Sequence, residues 1–130
     1  MQEYKIIEEI YDAIDEFGLM AVLGRLFGAG TKIKVCFADT ACKTEIEQLD
    51  LSVRSYNCLK RAGLHTVEKV IDAMADDSLC KIRNLGQNSR AEIRVKIYEF
   101  GYKSLGKTGR KLFIKDLLDL NKDKYTIVCN

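Results

Sequence analysis

Residues 46–60 read Ile46-Glu-Gln-Leu-Asp-Leu-Ser-Val-Arg-Ser-Tyr-Asn-Cys-Leu-Lys60, and the architecture of the protein can be worked out from them. Ser52 has a side chain that often caps the first turn of a helix, and Gly63 suits the position just beyond a helix end. This stretch therefore predicts a short helix that ends just before Gly63. Because Arg54 and Asn57 are three positions apart, they lie on one face of that helix.

The rest of the sequence contains no proline and repeats the pattern of short, separately capped helices. Isoleucines near the N-terminus recur every three or four residues with acids between them, which is typical of an amphipathic helix. The predicted elements are a front helix through Phe17, a helix over 20–27, a capping box at 44–47, a helix from Thr66 to about Met74, a turn over 77–82, a hairpin at 84–86, a helix over 89–100 and a helix over about 108–120.

The hairpin Asn84-Leu85-Gly86 lies between two of these predicted helices. Ser89 and Glu92 have the spacing of a capping box for the second helix, and Gly101 is expected to end it. A helix, a hairpin with a central glycine and another helix form a helix-hairpin-helix element. Such an element offers backbone N–H groups to a phosphate.

Two short runs have β character. Residues 32–37 alternate polar and apolar side chains, and residues 125–129 are rich in β-prone types. Because isolated strands of this length are unstable, we expect them to pair. The predicted fold is mainly α, a compact bundle of short helices with a helix-hairpin-helix element and a small two-stranded β pair from residues 31–37 and 124–129.

Charge is unevenly distributed along the 130 residues, although the net charge is only +2. Residues 1–18 sum to −5, whereas residues 54–115 sum to +8. This asymmetry predicts a polyanion-facing middle segment. The sequence is 47% apolar and has no run of 18 apolar residues, so we expect a globular cytoplasmic protein without a membrane span.

Catalytic and metal-binding signals are weak. The five cysteines include no CxxC pair, and Cys36 and Cys42 have no further ligands nearby, so no metal is expected. His65 has no adjacent nucleophile and orienting acid. Residues 101–108 match the phosphate-loop pattern G-x-x-x-x-G-K-[ST], but the preceding segment is predicted to be a helix rather than the required strand. We expect no enzyme activity and no cofactor.

The run at residues 46–60, followed by Asn84-Leu-Gly86 and Ser89-x-x-Glu-Ile93, resembles the C-terminal domain of the bacterial RNA polymerase alpha subunit. The resemblance covers residues 44–106. It implies a compact helical bundle that binds A/T-rich upstream promoter DNA through the minor groove and docks against transcription activators.

The resemblance also implies a set of DNA-binding residues. Arg54 matches the arginine that enters the minor groove, and Asn57 matches the asparagine beside it. Asn88 stands where the family usually has a phosphate-facing lysine, which removes one ionic contact. The complete implied set is Arg54, Asn57, Cys58, Lys60, Gly86, Asn88, Ser89 and Glu92.

The sequence thus predicts three segments. Residues 1–43 are an acidic helical extension, residues 44–106 are the alpha C-terminal-like domain, and residues 107–130 are a C-terminal helix and strand that pack on the body. The expected function is non-catalytic, A/T-selective DNA binding in a transcription context. The alternative is a protein-interaction module that engages RNA polymerase or a transcription regulator. A homodimer through residues 1–30 is a further hypothesis.

Overall fold

The computed structural model describes residues 2–28 and 33–123, and the fold there is mainly helical, as predicted. None of the helices in these ranges is long and apolar enough to cross a membrane. The helices are α1 (Gln2–Phe17), α2 (Leu19–Phe27), α3 (Asp39–Cys42), α4 (Val53–Arg61), α5 (Val67–Ala75), α6 (Gln87–Lys103) and α7 (Lys107–Leu120), with 3₁₀ turns at Ile46–Leu49 and Ser78–Lys81.

The protein divides into two compact units. The central unit is Phe37–Gly101, and the terminal unit combines Met1–Cys36 with Tyr102–Asn130. The division between Gly101 and Tyr102 falls inside α6. The hairpin, the larger part of α6 and all eight predicted site residues therefore belong to the central unit.

The core of the central unit is built from aliphatic side chains of α4, α5, α6 and the first 3₁₀ turn. Those with no exposed surface are Ile46, Leu59, Val67, Val70, Ile93 and Ile97. The caps predicted for α4 and α5 are both present, since the Ser52 hydroxyl accepts from the Ser55 N–H at 3.3 Å and the Thr66 hydroxyl accepts from the Lys69 N–H at 3.3 Å. Local capping signals therefore place both helix starts correctly.

Helix α6 differs from its predicted limits at both ends. It begins at Gln87, so Ser89 lies within its first turn, and the expected capping box of Ser89 with Glu92 does not form. It also continues through Gly101 to Lys103. The glycine has a packing role instead, because a Cβ there would lie 2.1 Å from the Phe37 ring. Gly101 thus makes room for an aromatic side chain.

The capping box predicted at Thr44–Glu47 is also wrong. The Thr44 hydroxyl donates to the Thr40 carbonyl at 2.8 Å, and residues 46–49 form a 3₁₀ turn rather than a helix. The backbone here makes one antiparallel bridge between Glu45 and Thr66. Backbone pairing with a distant segment therefore overrides the local signal.

In the terminal unit, α1 packs against α2 and α7. Ile7 and Ile14 of α1 are buried as the amphipathic pattern predicts, whereas Phe17, at the end of the helix, is 65% exposed. Lys111 of α7 forms an ion pair with Glu8 of α1. The other buried apolar side chains described in this unit are Leu19, Val22, Leu23, Phe27, Tyr102, Phe113, Ile114, Leu117 and Leu118.

The first half of the predicted β pair is not a strand where it is described, at residues 33–37. Asn121, which is fully buried, takes the place of a strand partner for Lys34. Its Oδ1 accepts from the Lys34 N–H at 2.8 Å, and its Nδ2 donates to the Lys34 carbonyl at 2.8 Å. A side-chain amide can satisfy one residue in this way but cannot extend a ladder. The other half, residues 124–129, lies outside the described residues.

Replacing Gly101 with alanine should destabilise the protein. A helical Gly→Ala change normally stabilises by about 0.5–1 kcal/mol. At Gly101 the new methyl group would overlap the Phe37 ring, and relieving that overlap costs about 1–3 kcal/mol. Gly24→Ala is the matched control because its helical Cβ position is open. Urea denaturation should give opposite signs for the two variants, and a stabilising Gly101→Ala would contradict the packing role.

Candidate nucleic-acid interface

Helix α4 has one buried face and one exposed face. Ser55, Cys58 and Leu59 are buried against the rest of the central unit. Arg54 and Asn57 are exposed on the opposite face, in the first two turns. Among the described residues, neither side chain has a hydrogen bond or an ion pair. Both are therefore available to an external ligand.

Glu92 of α6 binds the N-terminal turn of α4. Its Oε2 accepts from the Ser52 backbone N–H at 2.8 Å. Its Oε1 accepts from the hydroxyls of Ser52 at 2.8 Å and Ser55 at 2.5 Å. In an ordinary capping box, a glutamate three residues into the same helix binds the N-cap N–H. Here Ser55 occupies that position, and a glutamate from another helix supplies the carboxylate.

The electrostatics of Glu92 follow from these contacts. Burial raises the pKa of its carboxyl group, but the hydrogen bonds from Ser55 and Ser52 outweigh that effect, with Lys96 adding a favourable charge. The pKa of Glu92 is therefore lower than that of a free glutamate. The carboxylate is ionised at neutral pH, and its acceptor sites are occupied by α4.

The hairpin is attached to the same helix through a separate set of contacts. The buried Cys58 thiol donates to the Asn84 carbonyl at 3.6 Å, and Arg61 Nη2 donates to the Cys58 sulfur at 3.6 Å. Together with the Glu92 contacts, this interaction brings the start of α4, the hairpin and the start of α6 together. The surface that they share carries Arg54, Asn57 and Gly86.

Gly86 is exposed, and neither its backbone conformation nor the packing around it requires a glycine. Its φ is not positive; the left-handed residue of the hairpin is Asn84, with φ 68°. A Cβ added to Gly86 would meet no atom within 4 Å. The start of α6 next to it carries the exposed Asn88 and the half-buried Ser89. The backbone here is open to close approach from outside.

Three residues of the implied set are engaged inside the domain. Cys58 is only 2% exposed, and Glu92 is bound to α4. Lys60 Nζ lies 3.0 Å from Glu47 Oε2 and sits over the Tyr56 ring. The hydrogen bond between Lys60 and Glu47 raises the pKa of Lys60 and lowers that of Glu47. The structure therefore separates the set into an exposed group and a supporting group.

Sequence reasoning missed two contributors, Ser55 and Glu47. The role of Ser55 could have been suspected from the sequence. It lies three residues after the capping Ser52, where a capping box would have a glutamate, so the carboxylate had to come from elsewhere. The tie between Lys60 and Glu47 spans 13 residues and has no local signature.

The charge of the folded unit differs from that of the linear segment. Residues 54–115 are strongly basic, but the central unit, 37–101, contains ten Lys and Arg against ten Asp and Glu. Of the segment's excess of eight positive charges, five lie in residues 102–115 of the terminal unit, and the other three are offset by the acids at residues 39–50. The unit that holds the candidate surface therefore has no net positive charge, although the linear segment 54–115 does.

The described residues contain no group of three or more His, Cys, Asp or Glu side chains that could hold a metal ion. The phosphate-loop pattern at 101–108 spans the end of α6, a turn and the start of α7. The segment before it is helical, as predicted, so the strand that a phosphate loop requires does not precede it.

These features define a small helical domain built on a helix-hairpin-helix element, with an exposed arginine and asparagine on one helix. Residues 38–99 match the family of the C-terminal domain of the bacterial RNA polymerase alpha subunit. They form an alpha C-terminal-domain-like domain, which confirms the resemblance found in the sequence.

The relatives of this region are bacterial polymerase subunits. The protein is 57% identical over 56 residues to the DNA-directed RNA polymerase subunit alpha of Limosilactobacillus reuteri, a match that covers 43% of the present sequence and 18% of that subunit. It is 51% identical over 63 residues to the same subunit of Desulforamulus reducens, covering 48% and 20%. The match therefore spans about a fifth of the length of these relatives. No solved structure matches it significantly.

The contacts of Glu92 predict a specific pH dependence of stability. Because its pKa is lowered on folding, its contribution should be complete above the unfolded pKa, about 4.3, and should disappear as pH falls through the lower folded value. Glu92→Gln leaves donors of α4 without acceptors, which should cost about 1–3 kcal/mol at pH 7. The difference from wild type should shrink below about pH 4.

Urea denaturation at several pH values checks this prediction. Glu68→Gln, the same chemical change on an exposed side chain, is the control and should show a much smaller and less pH-dependent effect. An equal loss of stability for Glu92→Gln at pH 7 and pH 3 would contradict the role of the ionised carboxylate.

Proposed function

We propose that this protein is a non-catalytic DNA-binding protein of the transcription machinery that recognises A/T-rich duplex through the minor groove. The proposal rests on the family of residues 38–99. The observation that carries it is the placement of Arg54 and Asn57. Both are exposed on the outer face of α4 and have no polar partner among the described residues, while the inner face is fastened to α6 and the hairpin.

The chemistry of these two side chains suits an A/T-rich minor groove. The narrow groove of A/T-rich DNA has an enhanced negative potential that attracts an inserted guanidinium. An asparagine amide can donate to the adenine N3 and thymine O2 acceptors on the groove floor. Val53, beside Arg54, is 76% exposed and offers an apolar surface to the sugars that form the groove walls.

The hairpin and the start of α6 would bind the phosphate backbone. Gly86 permits close approach of a phosphate to the main chain, and Asn88 and Ser89 carry neutral donors. We assign Cys58, Lys60 and Glu92 supporting roles, since their polar groups already have partners within the domain. In this arrangement Arg54 and Asn57 select the sequence, and the hairpin positions the domain on the backbone.

One observation favours the alternative function, a protein-interaction module that engages RNA polymerase or a transcription regulator. The central unit has balanced charge, and Asn88 adds no positive charge to the candidate surface. Nonspecific attraction to DNA is therefore expected to be weak. The two functions differ in what they predict for binding to free duplex DNA.

Replacing Arg54 with alanine should weaken binding to A/T-rich duplex by about 1–3 kcal/mol and remove most of the preference over G/C-rich duplex. Fluorescence anisotropy with labelled duplexes of both compositions measures this effect. Lys69→Ala is the matched control because it removes one exposed positive charge from α5. It should leave the A/T preference unchanged.

Gly86→Ala provides an independent check on the backbone contact. The fold has room for the methyl group, so stability should change by only about 1 kcal/mol or less. Binding to all duplexes should nevertheless weaken. If wild-type protein binds neither duplex at about 50 mM salt, or if Arg54→Ala leaves the A/T preference intact, the DNA-binding proposal is wrong and the interaction module becomes the better explanation.

A further inference from the structure

Two cations of the central unit are already paired with acids. Lys60 is paired with Glu47, and Lys96 Nζ lies 4.0 Å from Asp50. The first three residues of α6, Gln87 to Ser89, are uncharged. Since affinity for duplex DNA depends strongly on phosphate neutralisation, the hairpin side of the proposed surface needs a cation from another position.

Arg90 is such a cation. It lies in the first turns of α6, half-buried, and its Nη1 donates to the Leu85 carbonyl at 2.9 Å. The side chain therefore folds back over the hairpin, beside Gly86. Among the described residues Arg90 has no acidic partner. One of the five guanidinium donors is used, and the rest of the planar group remains available.

The carbonyl contact also prepares the guanidinium for binding. A guanidinium donates to phosphate oxygens through parallel N–H bonds, and fixing its plane in advance reduces the side-chain freedom lost on binding. Arg90 thus combines a positive charge, a fixed orientation and a position on the hairpin. The uncharged Asn88 lies two residues before it on the same helix.

We propose that Arg90 is the phosphate-binding cation of the hairpin, supplying the charge that Asn88 does not. The ligand is the sequence-independent phosphodiester backbone of duplex DNA. This inference rests on the proposed DNA-binding function and extends it to a residue outside the set that the family resemblance implies. Arg90 contributes affinity, while Arg54 contributes the A/T preference.

The salt dependence of binding separates a phosphate contact from a structural brace. Each phosphate contact contributes about 0.9 to the slope of log K against log salt concentration. Arg90→Gln should therefore lower the slope by about one and weaken binding on the order of tenfold at about 50 mM salt, with the A/T preference unchanged. Arg90→Lys should keep the slope close to that of wild type.

The terminal unit supplies a matched control. The spacing L-G-x-x-x-R occurs at residues 85–90 and again at 105–110. Arg110 Nε donates to the Leu105 carbonyl at 2.9 Å, just as Arg90 binds Leu85. Arg110 Nη2 also donates to the Lys103 carbonyl at 3.0 Å, and its guanidinium lies over the Tyr102 ring. Arg110→Gln therefore removes the same charge and more internal contacts than Arg90→Gln, and it should still leave the slope unchanged.

A charge-relocation variant completes the test. Asn88→Lys combined with Arg90→Gln moves the positive charge back by two residues and should restore the slope lost in Arg90→Gln. If Arg90 were only a structural brace, Arg90→Gln would lower the melting temperature and leave the slope unchanged, and a lysine at position 88 would raise the slope above that of wild type. Melting temperatures measured in parallel report any loss of folding.

Several outcomes would overturn the inference. It is wrong if Arg90→Gln leaves the slope unchanged, if Arg110→Gln lowers the slope equally, or if the double variant fails to restore it. If instead the proposed DNA-binding function is wrong, wild-type protein will show no A/T-selective binding that depends on Arg54. If Arg54 behaves as proposed and Arg90 does not, only the assignment of Arg90 is withdrawn.

Discussion

The carboxylate of Glu92 joins the two helices that carry the proposed interface. It accepts hydrogen bonds from the backbone and hydroxyl of Ser52 and from the hydroxyl of the fully buried Ser55. Without it, the fully buried hydroxyl of Ser55 would lose its acceptor, which is costly, and the N-terminal N–H of α4 would lose a charged one. Because Arg54 lies between these two serines, the same contacts fix the turn from which its side chain extends. The geometry of the surface therefore depends on a group that does not itself face the ligand.

The balance of acidic and basic side chains in the central unit limits its nonspecific affinity for duplex DNA. A strongly basic protein binds any duplex, since phosphate neutralisation does not depend on sequence. The central unit has equal numbers of acidic and basic side chains, and two of its lysines are paired internally. We infer that binding relies on a few groups, with Arg54 and Asn57 on α4 and Arg90 on the hairpin side. Such an arrangement favours selectivity over strong nonspecific affinity.

Features that depend on interactions between nearby residues could be predicted from the sequence, whereas features that depend on distant residues could not. The Ser52 hydroxyl caps its own helix by accepting from the Ser55 N–H, three residues away, so the residue type at position 52 was enough to predict the helix start. The Ser89 and Glu92 pair has the same spacing, yet Glu92 bonds to Ser52, 40 residues away, and the local interpretation failed. Gly101 was expected to end α6 and instead packs against Phe37. The family resemblance supplied the candidate residues, but only the three-dimensional structure distinguishes the exposed Asn57 from Cys58, Lys60 and Glu92, whose polar groups bond within the domain.

The central claim is that the surface formed by the start of α4 and the hairpin binds A/T-rich duplex. The most direct measurement is a titration of isotopically labelled full-length protein with such a duplex, followed by the backbone amide NMR shifts. The account predicts that the largest changes cluster at residues 52–57 and 84–90 and are much smaller with a G/C-rich duplex. Absence of any change, or changes confined to α1, α2 and α7, would contradict it.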